Sequence, residues 1–370
     1  MKIYQILRHL TILLHRNPGA DQGYYITRNK FLKTVQIVSS SKLALKNVSP
    51  PPLADYEVRI EVAFSSVCGS DLKNISDPVK IPQIPGHEFS GRIIETAKVS
   101  QELFHIGERV TVFPMIACLE CAECKKRAYR DCQYKQSLGF QLPGAFAEQV
   151  VIDGRFVVPL FNNISYEQGA LIEHLCCGYR LMKEISSQIL PSEEVHIVII
   201  GDGPIALADL QALKTHLYSK ITLIGKHEIR RNIARKLGAS KVVNSVGFDQ
   251  MKETLPPVDI CIFAADALRI LEQVIPLMKP SGIFYPQTRV KSGYILSLLK
   301  SYKISIGRAF AYFLEDFKEM MTLIEAGKIE TDSLITARIP LLDVVNVFPT
   351  FYEKKNNIKI LIFNEDFVSP

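Results

Sequence analysis

The apolar positions change texture near Cys176. Before it, short β-branched stretches alternate with Gly and Pro. Residues 33–38 and 57–64 read as strands, the second with apolar and polar side chains alternating in Glu57-Val-Arg-Ile-Glu-Val-Ala-Phe. Pro50-Pro51-Pro52 separates them, and further strands are predicted at 90–94, 109–113 and 147–151, giving a β-rich, barrel-like half. After Cys176, residues 195–200 form a continuous apolar strand. A helix over 205–217, a strand over 220–224, a helix over 229–237 and a strand over 258–263 come next, then a helix over 268–278 and a strand at 282–285. Strands of buried type alternating with helices predict an α/β fold whose second half is a doubly wound parallel sheet.

At 370 residues and 47% hydrophobic, the chain is long enough for two domains with substantial cores. The net charge of +6 is spread along it, apart from Lys125-Lys126-Arg127 and Arg230-Arg231. That is not the clustered, aromatic-interleaved charge of a nucleic-acid binder. No apolar run approaches the ~20 residues that span a bilayer, so neither a nucleic-acid nor a membrane partner is expected. Eight cysteines, most at positions suited to metal ligation, fit a reducing compartment, and the expected location is cytoplasmic. Residues 1–30 stand apart. Arg8, His9, His15, Arg16, Arg28 and Lys30 face a single acid, Asp21, and Leu7, Leu10, Ile12, Leu13 and Leu14 supply an apolar face. Such a start suits an organelle transit segment; an accessory helix or a mis-set start codon are the alternatives.

Cys118, Cys121, Cys124 and Cys132 are spaced C-x2-C-x2-C-x7-C. Four thiolates within so short a stretch can close a tetrahedron around one zinc ion with no open position, which makes a structural site. Disulfides or spare thiols are the alternative. Further on, Gly201-Asp-Gly-Pro-Ile-Ala206 fits G-x-G-x-x-A between a strand and a helix. Gly201 would permit the tight turn and Gly203 the approach of a pyrophosphate to the helix N-terminus, with Ala206 at the third position.

The four-cysteine spacing resembles the structural zinc lobe of the zinc-containing medium-chain alcohol and polyol dehydrogenases. Cys68-Gly-Ser-Asp71 and Gly86-His-Glu88 precede the lobe, as in that family. Gly144-Ala-Phe-Ala-Glu148, Ile172-Glu-His-Leu175 and the glycine turn follow it in the family order. The resemblance covers residues 33–363. It implies a GroES-like catalytic domain over 33–177, completed by 311–370, and a Rossmann cofactor domain over 178–310, with 1–32 as an N-terminal extension. By the same resemblance, Cys68, His87 and Glu173 are ligands of a catalytic zinc, although His174 replaces the family proline. Glu88 is a further ligand or a supporting acid, and Ser70 is the hydroxyl that takes the substrate proton. Taken singly, these residues have plain explanations: a small core cysteine, a loop histidine, a helix-capping glutamate and a turn serine. Lys73 occupies the neighbourhood where many members place a relay histidine, which leaves the proton exit open.

Two zinc ions per chain follow from the resemblance, and with them hydride transfer between a secondary alcohol of a polyol, cyclitol or sugar-like molecule and NAD(P). Counting back from Leu237-Gly-Ala239 puts Gly225 where the family acid for the ribose hydroxyl stands. Its absence, with Lys226, Arg230 and Arg231 nearby, favours NADP over NAD. Glu228 is a candidate displaced acid, and a solvated helix face is the plain explanation of the cations. Substrate choice is expected from residues 74–84 and around Phe310, and a homo-oligomer, dimer or tetramer, is expected. Two rivals remain open: a quinone or enone reductase of zinc-free style, and a non-catalytic NADP-binding redox sensor.

Overall fold

A computed structural model describes residues 31–288, 290, 292–308, 311–352 and 357–368. The basic segment 1–30 and Phe310 lie outside the described residues. The first half opens with an antiparallel pair, β1 (Leu32–Ser39) and β2 (Lys42–Val48). β3 (Glu57–Ser66) leads into a short helix, α1 (Gly69–Ser76), then β4 (Glu88–Thr96) and β5 (Arg109–Val112). A small pair, β6 (Met115–Ile116) with β7 (Gln136–Ser137), flanks the cysteine lobe, and β8 (Gln149–Asp153) and β9 (Val157–Pro159) follow. A long helix, α2 (Ile172–Ser186), then leaves this half.

The second half contains β10 (Ile197–Ile200), α3 (Pro204–Lys214), β11 (Ile221–Gly225), α4 (Glu228–Lys236), β12 (Lys241–Asn244), β13 (Val258–Phe263), β14 (Met278–Pro286) and β15 (Ser305–Ile306). Its six strands are all parallel, in the order β12-β11-β10-β13-β14-β15. The order reverses between β10 and β13, and that switch point opens a crevice beyond the strand ends. After α5 (Asp316–Glu325) the chain returns through β16 (Ile335–Pro340) and β17 (Lys359–Phe363) to the first half. There the sheet runs β16-β17-β3-β4-β5-β9, with β8 also paired to β3.

Alternation explains why β10 and β13 read as unbroken apolar runs. Ile197, Ile199, Ile260 and Ile262 enter the core shared with α2 and α3, while Val198, Ile200, Cys261 and Phe263 enter a second core on the opposite face. The expected alternation of β3 is interrupted, because its register with β4 shifts between Arg59 and Ile60 and again between Val62 and Phe64.

Several boundaries differ from expectation, two of them for reasons the chain makes plain. The strand expected at 147–151 begins at Gln149, since Ala147 bridges to Thr34 and only Gln149–Asp153 pairs with β3. The helix expected over 268–278 ends at Val274. Pro276 cannot donate the helical hydrogen bond, so the chain tightens into a 3-10 turn, Ile275–Leu277, and Met278 already belongs to β14.

Candidate active site and metal centres

The four lobe cysteines come together within one local excursion. Their Sγ atoms all lie within 4.8 Å of one another. Cys118 is 3.8 Å from Cys124 and 3.6 Å from Cys132, and Cys121 is 3.5 Å from Cys124. A tetrahedron with metal–sulfur bonds of ~2.3 Å has edges of about 3.8 Å, so these spacings fit one ion. They are too long for disulfides, whose sulfurs sit ~2.05 Å apart, and all eight cysteines are free thiols. Backbone N–H groups of Glu120 and Cys121 favour the Cys118 thiolate and lower its pKa to about 6, whereas burial pushes Cys124 up to about 12. Leu119 and Arg127 both adopt a φ of 62°, the left-handed region, which costs non-glycine residues roughly 1 kcal/mol or more each. Closure of the sulfurs around an ion would offset that strain.

The second cluster is assembled from remote segments. Cys68 caps α1 and His87 and Glu88 lead into β4; their ligand atoms also lie within 4.8 Å of one another. Asp71, wholly buried, organises them. Its Oδ2 accepts the Cys68 backbone N–H at 2.9 Å, and its Oδ1 accepts from Gly86 N at 3.1 Å and meets His87 Nδ1 at 3.1 Å. That leaves His87 Nε2 turned to the Cys68 side, the carboxylate–histidine arrangement common behind metal ligands. Ser70 Oγ donates to Cys68 Sγ at 3.1 Å and lies 3.4 Å from His87 Nε2. Burial alone would raise the pKa of Glu88, but Lys359 Nζ, 2.5 Å from its Oε2, together with His174 and His87, holds it at about 2. Glu88 Oε1 is buried and has no hydrogen-bond partner among the described residues. An open carboxylate oxygen beside a thiol and an imidazole suits a divalent metal.

Glu173, at the start of α2, is not part of that close set. Its carboxylate accepts a hydrogen bond from the buried Tyr312 hydroxyl. Burial and the nearby Glu88 charge raise its pKa to about 7. His174, in the family proline position, is buried; its Nδ1 faces Leu171 O at 3.0 Å, and burial lowers its pKa to about 3. Lys73 is exposed. The expected substrate loop begins inside α1. Asn74 donates to Gly139 O at 3.0 Å, while Val79 and Ile81 expose apolar surface.

At the parallel sheet, Gly201 takes a φ of 135° and its N–H bonds Ile224 O at 2.9 Å, which turns the chain off β10 into α3. Gly203 caps α3, and a Cβ there would meet only Arg230 Nη1, at 4.0 Å. That open cradle at a helix N-terminus, with Ala206 buried behind it, fits a pyrophosphate. Gly225 ends β11 as expected, beside an exposed Lys226. Arg230 is buried and engaged, donating to Asn357 O and lying 3.7 Å from Asp202 Oδ1. Arg231 Nη1 donates to Lys226 O at 2.6 Å and Asn244 Oδ1 at 3.2 Å.

Residues 54–162 match the alcohol dehydrogenase GroES-like domain. The chain is 30% identical to D-arabitol-phosphate dehydrogenase of Enterococcus avium over 342 residues, 87% of this chain and 94% of that protein. The chain belongs to the medium-chain polyol dehydrogenase family. Solved structures agree on the fold of this dehydrogenase. Galactitol-1-phosphate dehydrogenase from Escherichia coli superposes with a TM-score of 0.79 at 22% identity, covering 90% of this chain and 99% of that one. The E. coli CFT073 short chain alcohol dehydrogenase complexed with NADH gives 0.80 at 22% identity, covering 90% and 100%. The dehydrogenase is thus an enzyme of NAD(P)-linked alcohol oxidoreduction, with a GroES-like half and a Rossmann half.

Two residues of the dehydrogenase site escape sequence reasoning. Tyr312 reaches Glu173 from 139 residues away with no motif around it. Lys359 begins the apolar strand Lys-Ile-Leu-Ile-Phe of β17 and is only 1% exposed. A lysine heading so apolar a strand is a faint signal; only the pairing of β17 with β3 brings it to Glu88.

Proposed function

We propose that this dehydrogenase holds two zinc ions and oxidises a secondary hydroxyl of a polyol, cyclitol or sugar-like alcohol, or reduces the matching ketone. The convergence of Cys68, His87 and Glu88 on one point, with the Ser70 hydroxyl beside two of them, carries the reading. Cys118, Cys121, Cys124 and Cys132 would hold the structural ion, and Cys68, His87 and one carboxylate, Glu88 or Glu173, the catalytic one. Zinc bound there supplies a Lewis acid that lowers the pKa of the substrate hydroxyl, and the nicotinamide supplies the hydride acceptor.

The chain's own groups do the rest. Asp71 fixes the ring of His87 and the backbone at Cys68, so the ligand set is built before substrate arrives. Ser70 Oγ, partly exposed beside Cys68, is placed to relay a proton, accepting one from the substrate as it passes its own to water. Lys359 neutralises Glu88 in a space closed to water, and Tyr312 holds Glu173 back from the three converging ligands.

Relatives named for sugar-alcohol phosphates support a hydroxyl-rich substrate. A division at 33–177 with 311–370 against 178–310 suits the two sheets. Eight free thiols support a cytoplasmic setting, and among the described residues no helix is long and apolar enough to cross a membrane. Ile306, exposed on the edge strand β15, supports a homo-oligomer.

The test combines zinc analysis with a turnover panel of sugar alcohols, their phosphates and small aliphatic alcohols. Two zinc ions per chain and activity on the polyols are expected. Turnover of aliphatic alcohols alone would refute the substrate class. One zinc per chain with enone reduction would replace the reading with a reductase, and two zinc ions without any turnover with a redox sensor.

A further inference from the structure

The Rossmann half lacks an acid at the end of β11, yet it places one there by another route. The glycine turn carries Asp202 between its two glycines, and the Asp202 side chain reaches across to Gly225. A Cβ built on Gly225 would stand 2.6 Å from Asp202 Cβ and 2.8 Å from its Oδ2. The room a side chain at position 225 would take is therefore already filled by this carboxylate. Asp202 Oδ2 accepts the His227 backbone N–H at 2.6 Å, and His227 Nδ1 lies 3.1 Å from Oδ1, so the carboxylate is fixed at the strand end. It is 6% exposed.

We infer that Asp202 is the cofactor-selecting acid of this enzyme, supplied from the glycine turn in place of a strand-end residue, and that it selects NAD over NADP. The inference rests on the dinucleotide reading of the crevice given above. An acid at this end of a Rossmann crevice accepts a hydrogen bond from the ribose 2′-hydroxyl and repels a 2′-phosphate. Two of the three cations expected to welcome that phosphate are engaged elsewhere. Arg230 lies between Asp202 and Asn357 O, and Arg231 is held on the carbonyl of Lys226 and the side chain of Asn244. Of the three, Lys226 alone remains exposed. The missing acid at Gly225 therefore does not make this an NADP enzyme.

The experiment titrates the zinc-loaded full-length protein with NADH and with NADPH, following nicotinamide fluorescence, so the readout is a pair of dissociation constants rather than turnover. NADH should bind at least about tenfold tighter than NADPH. Asp202→Asn keeps the shape and an acceptor for His227, and should shrink that ratio about fivefold or more by strengthening NADPH binding. Gly225→Asp, which ordinary family logic would use to create NAD preference, should weaken both cofactors because two carboxylates would compete for one space. Asp202→Gly combined with Gly225→Asp should restore the NADH preference by returning the acid to the strand. Melting curves without cofactor identify any variant that fails to fold, and the combined variant then carries the test. Tighter NADPH binding in the parent enzyme, or a ratio that Asp202→Asn does not move, would overturn the role of Asp202 and leave the dinucleotide site standing. Binding of neither cofactor would overturn both.

Discussion

The two candidate metal centres differ in how they are built. The lobe takes four ligands of one kind from the continuous segment between Cys118 and Cys132, and its helix Ala122–Lys125 and flanking turns are too short to hold shape alone. The other centre takes a thiol, an imidazole and a carboxylate from the end of β3, the start of β4 and, further away, α2, with Lys359 and Tyr312 arriving from the last part of the chain. In the first, the ion would order the fold. In the second, the fold orders the ligands. Loss of metal should therefore cost stability at the lobe and chemistry at the pocket.

The largest expected effect tests the first half of that contrast. Cys132→Ser, at a fully buried cysteine of the lobe, should lower the zinc content by one ion per chain and the melting temperature by on the order of 10 °C or more, read by calorimetry with metal analysis. An unchanged melting temperature would show that the lobe folds without its ion. By contrast, His87→Asn should also remove one zinc ion but reduce kcat/KM by about 10³-fold or more while the melting temperature moves by only a few degrees.

Replacing Lys359 probes how the pocket is held. Lys359→Met leaves the Glu88 carboxylate buried without its partner and should destabilise the protein by about 3–5 kcal/mol in urea. A loss under about 1 kcal/mol would mean that the pair is dispensable.

The smallest effect is a difference in pH response. In metal-free protein, the Glu173 pKa stands at about 7 against an ordinary 4.5, because of burial and the Glu88 charge. A raised folded pKa gives stability that is present in full below about 4.5 and lost as pH rises through about 7, worth about 3 kcal/mol across that window. Glu173→Gln should flatten the slope in denaturant titrations between those limits. The lobe should behave in the opposite sense: its thiolates bind zinc only when deprotonated, so acid should release the ion, measurable with a chromogenic chelator. If both centres loosened in the same direction of pH, the contrast between them would fail.

Periodicity found the four central strands of the parallel sheet, because β10 and β13 bury both faces and read as apolar runs. Among other elements it missed the edge strands β12 and β15, and β2, α2 and α5. These mix polar and apolar residues, and α2 buries Glu173 and His174 among its apolar positions, so its pattern does not announce a core helix. The cysteine lobe was legible because its ligands are close in sequence. The pocket was legible only through resemblance, and its close set includes Glu88 while Glu173 is tied to Tyr312. Gly225 ends β11, but the side chain that fills the space beside it could not be foreseen, since Asp202 lies in the glycine turn after β10.

By itself, the sequence determined the alternation of strands and helices, the four-sulfur lobe and the glycine turn. Each depends on residues a few positions apart, where backbone geometry fixes who meets whom. Tertiary structure alone decided that Lys359 neutralises Glu88, that Tyr312 restrains Glu173 and that Asp202 occupies the space beside Gly225. Those contacts join segments up to 271 residues apart, and their partners are set by sheet order and register rather than by any local spacing.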